Sequence, residues 1–313
     1  MNIAKKKNPI ACFGQDLWKN KVLWLMILPT LLYFIIFHYL SMPGSYIAFT
    51  QFNQSKGIFG SDFVGFKNFE FLIRSGDLWR ITRNTLLYNI VFIVLGNIIQ
   101  LIFAIMLSEI QKKWFKKVSQ SIILLPYFIS MVIVGAFAYN FFNYDSGFFN
   151  TLFVNMGLEK FDFYSSPGVW KYIVVFFRIW SGTGYGMIVY LSAITGIDST
   201  VYEAAYIDGA TVWQRIRFVT LPLLKHTFVL LLLFSLGGIL KGSMDLFYNI
   251  IGDNSLLFAQ TDIIDTYVYR SLRGTFNFTQ SAAAGLYQSV FGFILVMIVN
   301  TIVKRLSSED ALF

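Results

Sequence analysis

The hydrophobic positions of this 313-residue chain gather into six long runs, with polar residues collected between them. The runs lie near residues 22–41, 85–107, 119–142, 170–195, 226–250 and 283–303. A helix of about 20 apolar residues, rising about 1.5 Å per residue, matches a hydrocarbon layer of about 30 Å. The pattern therefore predicts six transmembrane helices and an all-α integral membrane protein. Two runs are less uniform. The fourth carries Arg178 beside Gly182, Gly184 and Gly186, and the fifth carries Gly237, Gly238, Lys241, Gly242 and Asp245. Glycine at the density seen in the fifth run predicts a bent or partly unwound helix, of the sort that lines transport cavities.

Composition agrees with the pattern. The chain is 56% hydrophobic and 13% charged, where a soluble domain averages about 25% charged residues, so much of its surface must face lipid. The net charge of +8 is explained by where the basic residues fall, without a nucleic-acid partner. With the N-terminus inside, cytoplasmic segments hold Lys5, Lys6, Lys7, Lys19 and Lys21, then Lys112, Lys113, Lys116 and Lys117, then Arg215, Arg217 and Lys225, then Lys304 and Arg305. Short basic loops stay in the cytoplasm, which predicts that both termini are cytoplasmic. The first apolar run is too long for a signal-peptide core and lacks a small-residue cleavage site, so it is expected to remain. Cys12 is the only cysteine, and no intrachain disulfide can form.

The expected organisation is one membrane domain. It comprises an N-terminal cytoplasmic segment 1–21, a transmembrane domain 22–305 with a cytoplasmic loop at 196–225, and a tail at 306–313. The 42–83 loop is external, and Phe63 to Phe69 reads as a short amphipathic element at the interface.

The 196–225 loop carries the most specific signal. Ser199 or Thr200 can cap a helix, with Glu203 placed as in a capping box. Ala204 and Ala205 favour helix and have almost no side-chain bulk. Asp208 can cap or pair locally, and Gly209 permits the positive φ that turns a chain after a helix. Pro222 is expected to interrupt helical hydrogen bonding before the next span. These features alone describe a helical hairpin, and a plain connection between spans explains them as well.

The string Glu203-Ala204-Ala205, three residues, Gly209, nine residues, then Val219-Thr220-Leu221-Pro222 resembles the EAA loop of bacterial ATP-binding-cassette importer permeases. Val219 stands where that family usually has isoleucine. Tyr202 to Ala210 is similar to the carbohydrate-uptake branch. So are Phe63 to Phe69, Asn84-Thr85-Leu86, the turn Gly147 to Asn150, Asp262 to Arg270 and Ala282 to Ser289, over roughly residues 20–305.

The resemblance implies a type I importer permease in the bacterial cytoplasmic membrane, importing a carbohydrate, most plausibly an oligosaccharide. It implies that Glu203, Ala204, Ala205, Asp208, Gly209, Leu221 and Pro222 form a coupling helix that sits in a groove of an ATPase subunit. It also implies partners: a second homologous permease, two ATPase subunits that hold ATP and Mg, and an external solute-binding protein.

Polar groups within spans are costly and usually face a cavity or each other. Arg178, Ser181 and Tyr185 fall at helical spacing on one face of the fourth span. Lys241 and Asp245 are four apart and can neutralise one another, with Ser243 between them. Tyr287 and Gln288 in the sixth span, and Asn89, Asn97 and Gln100 in the second, are further candidates. Aromatic faces and planar polar groups of this kind suit a sugar, although each can equally satisfy a helix–helix contact.

No phosphate loop of the form G-x-x-x-x-G-K-[ST] occurs, and Gly182 to Gly186 lies in an apolar span with no strand before it. Neither an HExxH nor a CxxC motif is present, and His38 and His226 have no metal-ligating neighbours in sequence. No cofactor is expected in this chain, so any ATP hydrolysis belongs to a partner. The competing readings are a self-contained secondary carrier, which normally shows inverted repeats, an importer permease for a non-sugar solute, and a membrane-embedded enzyme or scaffold.

Overall fold

A computed structural model describes residues 18–306, so Lys5, Lys6, Lys7, Cys12 and residues 307–313 lie outside the described residues. The first span is α1, Lys21–Phe34, continued by a π turn at Ile35–Tyr39; none of its side chains is buried. A two-stranded antiparallel ribbon follows, β1 Thr50–Gln51 against β2 Asp62–Phe63. The amphipathic helix expected over Phe63 to Phe69 begins only after a turn, as α2, Lys67–Arg74. Phe63 is held in the ribbon, and Gly65 turns the chain with a φ of +62°. Asn68 fixes α2 by donating to the carbonyls of Ala48 (2.8 Å) and Thr50 (3.1 Å).

The second span, α3, Asp77–Ser108, packs along α7, Pro167–Thr195, which is the fourth. In hydrocarbon there is no hydrophobic drive between helices, so close fit and interhelical hydrogen bonds must hold them. Tyr190 donates to Asn97 Oδ1 (2.9 Å) and Gln100 Nε2 to the Gly182 carbonyl (3.3 Å). Such bonds contribute about 0.6 kcal/mol each. Gly184 allows the third span to approach: a Cβ there would lie 2.6 Å from Leu124 Cα.

The third run is not the straight span that hydropathy predicts. It consists of α4, Lys113–Leu124, a 3-10 turn at Leu125–Phe128, and α5, Met131–Phe142, and the chain bends by 94° between the helical halves. Pro126 removes a backbone donor, Ile129 is extended, and the Ser130 hydroxyl starts a new helix by accepting from Ile133 N (3.5 Å). Each 12-residue half spans only about 18 Å, too little to cross alone. Beyond it lies α6, Phe148–Asn155, whose buried Asn150 donates to the Phe161 carbonyl and accepts from Phe161 N.

After α7 come α8, Ser199–Ile207, and α9, Val212–Arg215, which runs through a π turn at Ile216–Thr220 into α10, Leu221–Leu236. The fifth run is broken as its glycines suggest. Helix stops at Leu236, and a separate short helix, α11, Met244–Ile251, follows. After short helical turns at Ser255–Leu257 and Phe258–Thr261 come α12, Ile264–Arg273, and α13, Phe278–Leu306, the sixth span.

Three apolar cores result. Trp170, Phe177, Tyr88, Val134 and Phe247 join α3, α5, α7 and α11. Leu107, Met187, Tyr190 and Leu224 join α3, α7 and α10 near the end that carries residues 199–220. Ala48, Leu72, Tyr267 and Ala283 join α2, α12 and α13 at the opposite end.

Candidate coupling surface and transport pathway

Asp198, not Ser199 or Thr200, caps α8: its Oδ1 accepts from Thr200 N at 3.0 Å. Those backbone and hydroxyl donors of Thr200 hold the Asp198 carboxyl below its ordinary pKa. The expected capping box at Glu203 is therefore absent. The helix ends as a Schellman motif, with Gly209 N donating to the Tyr206 carbonyl (3.1 Å) and Ala210 N to that of Ala205 (3.0 Å). Gly209 has a φ of +74°, which a side chain would disfavour, and Asp208 sits at the C-cap.

A capping box does occur one element later, where sequence reading missed it. Thr211 N donates to Gln214 Oε1 (2.7 Å), and Gln214 N donates to Thr211 Oγ1 (3.4 Å). Threonine followed three residues on by glutamine was the available signal. Pro222 does not stop the helix, contrary to expectation. Helical hydrogen bonding widens into the π turn before it, and Pro222 occupies the second position of α10, beside the partly exposed Leu221.

The hairpin is joined to the spans by polar contacts. Arg215 donates to the Ala210 carbonyl (3.2 Å) and pairs with Glu109 at the end of α3 (3.5 Å). The hydroxyls of Tyr202 and the buried Thr220 lie 3.0 Å apart. Outward it presents Tyr206, Ile207 and Trp213, which are 74%, 84% and 67% exposed. Glu203 and Ala204 are exposed and Ala205 is half-buried. A cleft of about 670 Å³ separates α8 from the ends of α3 and α7, lined by Glu109, Lys116, Tyr202, Glu203 and Arg215 among others.

The residues expected to line a cargo path do not converge on one cavity. Arg178 sits 5.8 Å above the Phe92 ring, and Ser181 is buried, donating to the Arg178 carbonyl within the same helix. Tyr185 is exposed and stacks on Tyr127 at 5.2 Å, so it does not share the environment of Ser181. Further along the same pair of helices, α3 and α7 frame a pocket of about 360 Å³ that includes Asn84, Tyr88, Lys171, Tyr172 and Gln260.

Lys241 and Asp245 form no ion pair, because the helix that would bring them together is broken between them. Lys241 instead lies in the field of Asp265. Asp265 Oδ2 accepts from Gly242 N (2.6 Å) and Gln288 Nε2 (2.9 Å), and Gln288 also donates to the Leu240 carbonyl (2.6 Å). Lys241 and Gln288 thereby border a pocket of about 260 Å³. Ser243 precedes α11 without capping it through its side chain, and Asp245 is exposed in its first turn. Tyr287 accepts from Thr82 Oγ1 (3.2 Å) and packs on Phe291, which accounts for it structurally.

Asn89, named from the sequence as a pathway candidate, belongs instead with Asn84, Thr85 and Tyr88 to a polar edge of α3 that holds the 239–264 backbone. Asn89 Nδ2 donates to the carbonyls of Ile239 (2.8 Å) and Lys241 (3.2 Å), Tyr88 to Gln260 (3.0 Å) and Asn84 to Asp262 (3.0 Å). Thr85 Oγ1 accepts from Ile264 N (3.0 Å). The carboxylate of Asp262 is fully buried. Arg270 forks onto it at 3.0 and 2.8 Å, Arg80 reaches it at 3.3 Å and Thr266 donates to it at 2.9 Å.

With this geometry in place, comparison with known proteins is direct. Residues 100–308 match the family described as "Binding-protein-dependent transport system inner membrane component", and the chain belongs to that family. It is 34% identical to Protein LplB of Bacillus subtilis, covering 98% of each chain. To the polygalacturonan/rhamnogalacturonan transport system permease protein YteP of the same organism it is 33% identical, over 93% of this chain and 90% of that one. A chain in the crystal structure of a bacterial ABC transporter importing the acidic polysaccharide alginate superposes with a TM-score of 0.85 at 31% identity. That match covers 94% of this chain and 99% of the other. A second structure of an alginate transporter, in complex with an alginate pentasaccharide-bound periplasmic protein, gives a TM-score of 0.83.

Proposed function

We propose that residues 199–220 are the surface through which an ATP-hydrolysing subunit drives this chain. The chain is a membrane permease of a carbohydrate ABC importer. The observation that carries the coupling role is the exposed trio Tyr206, Ile207 and Trp213, held on a hairpin braced by the Thr211–Gln214 cap and the Arg215–Glu109 pair. A rigid apolar knob at the end of a span, beside small Ala204 and Ala205, suits a groove in a partner.

In this reading the 199–220 end is cytoplasmic. Lys112, Lys113, Lys116, Lys117, Arg215 and Arg217 gather there, as short cytoplasmic loops require. Two ATPase subunits holding ATP and Mg, a second permease and an external binding protein complete the importer. The cargo, an oligosaccharide, passes beside α7, where Tyr172 and Tyr185 expose aromatic faces and Lys171 and Arg178 supply cations. The test is uptake of candidate glycans into vesicles carrying the assembled importer. Inactivating the ATPase subunit is expected to abolish uptake. Uptake that persists would instead identify a self-powered carrier.

A further inference from the structure

Two arginines on α12, three residues apart, are used in different ways. Arg270 shows how this fold satisfies a guanidinium: both of its terminal nitrogens grip the buried Asp262 carboxylate, and its Cζ lies 4.0 Å from the Phe258 ring centre. Arg273 lies in the last turn of α12, at the end of the molecule opposite the hairpin, and is exposed. Its Nη1 donates to the hydroxyls of both Tyr248 and Tyr269 at 2.8 Å, and the two rings meet edge to face at 4.9 Å.

Nη1 carries two protons, and both are taken. That fixes the plane of the guanidinium and leaves the Nε–Nη2 edge directed away from the tyrosines. Among the described residues neither Nε nor Nη2 has a hydrogen-bond or ion-pair partner. Asp253 is near enough to act on the guanidinium through its field, and no ion pair joins them. A guanidinium edge with two parallel N–H groups matches the two oxygens of a carboxylate, and a lysine cannot reproduce that fork. The tyrosine rings beside it offer apolar faces of the kind that pack against the C–H surface of a pyranose.

We propose that Arg273, oriented by Tyr248 and Tyr269, reads the carboxylate of a uronic-acid residue as an acidic oligosaccharide enters the permease. This rests on the carbohydrate-import reading above and narrows its substrate class from glycans in general to acidic glycans. Two of the similar proteins are named for the same chemistry, one for polygalacturonan and rhamnogalacturonan and one for alginate, an acidic polysaccharide.

The experiment uses the complete importer in liposomes with its binding protein. Uptake is measured for tetragalacturonate, for the same tetramer fully methyl-esterified, and for maltotetraose. Wild type is expected to favour tetragalacturonate. Arg273→Gln is expected to lower its uptake about tenfold, the usual effect of losing a charge-assisted hydrogen-bond pair. Uptake of the ester is expected to be unchanged. Arg273→Lys should recover only part of the loss, and Tyr248→Phe with Tyr269→Phe should give an intermediate one.

Equal loss for acid and ester in Arg273→Gln overturns the proposal, assigning Arg273 to folding or to a carboxylate on the binding protein. No loss for either also overturns it. Wild-type uptake of maltotetraose without tetragalacturonate refutes the acidic class and leaves carbohydrate import standing. Failure to move any of the three glycans, with ATPase coupling intact, also overturns the acidic-glycan proposal and leaves carbohydrate import standing.

Discussion

Two of the places where the chain departs from regular α-helix, the hairpin and the break in the fifth run, are stabilised in opposite ways. At the hairpin, α8 and α9 close their own ends. Asp198, the Schellman turn at Gly209 and the Thr211–Gln214 box satisfy the backbone locally, and the outer surface is left free. At the break after Leu236, freed backbone is caught from outside: Asn89 holds Ile239 and Lys241, Gln288 holds Leu240, and Asp265 receives Gly242 N. A locally closed element can move as a body against its neighbours. An element whose hydrogen bonds belong to another helix moves only with that helix or by losing them.

The largest effect that this contrast predicts is for Asp262→Ala. It leaves Arg270 without its carboxylate beside a buried void, while Arg80 keeps Asp77, and removing one member of a buried ion pair costs about 3–5 kcal/mol. Thermal unfolding of the purified protein in detergent is expected to shift down sharply, and an unchanged midpoint would remove Asp262 from its place in the frame. Asn89→Leu should come next. It orphans two carbonyls near the break, for a loss of about 1–3 kcal/mol on the same measurement.

At the hairpin the expected outcomes reverse, with function affected and global stability spared. Gly209→Val forces a branched side chain into the left-handed region at about 1–2 kcal/mol. Ligand-driven uptake and stimulated ATPase activity are expected to fall while the melting midpoint holds. A collapse of the midpoint would show that the hairpin is part of the frame after all. The smallest effect concerns Asp198. Its folded pKa is depressed, so its contribution is complete above the unfolded value of about 4 and is lost as pH falls through the folded one. Amide exchange at Thr200 should therefore rise below about pH 4 in wild type. Asp198→Asn, which keeps the acceptor and cannot titrate, should remove that dependence.

Much of the frame was legible. Long apolar runs marked α3, α7 and α13 because a span's transfer free energy depends on composition, which sequence displays. The 94° bend in the third run was not, since hydropathy is indifferent to direction. Leu125-Pro126 and Ser130 were the clues. Gly209 could be read because a Schellman turn is a local event. The Lys241–Asp245 pairing failed for the opposite reason. It assumed an unbroken helix, and the groups that organise the break, Asn89, Asp265 and Gln288, are distant in sequence from one another. Arg178, Ser181 and Tyr185 share helical spacing, yet neighbours decide which side is covered, and Ser181 is buried where Tyr185 is not.

The π turn at Ile216–Thr220 preserves the angular phase between the hairpin and the span that follows it. A π turn holds one residue more than an α turn, and one residue corresponds to about 100° of rotation about the helix axis. Deleting a single residue from 216–219 would let the helix run as regular α and leave Trp213 close to its present bearing, whereas a deletion within α10, where no wide turn absorbs it, would swing Trp213 by about 100° relative to the rest of that span. Tyr202, which meets Thr220 at 3.0 Å, is the point at which that phase is locked. One extra residue is thus taken up within a single wide turn, a slack link that lets the chain between hairpin and span lengthen without turning either.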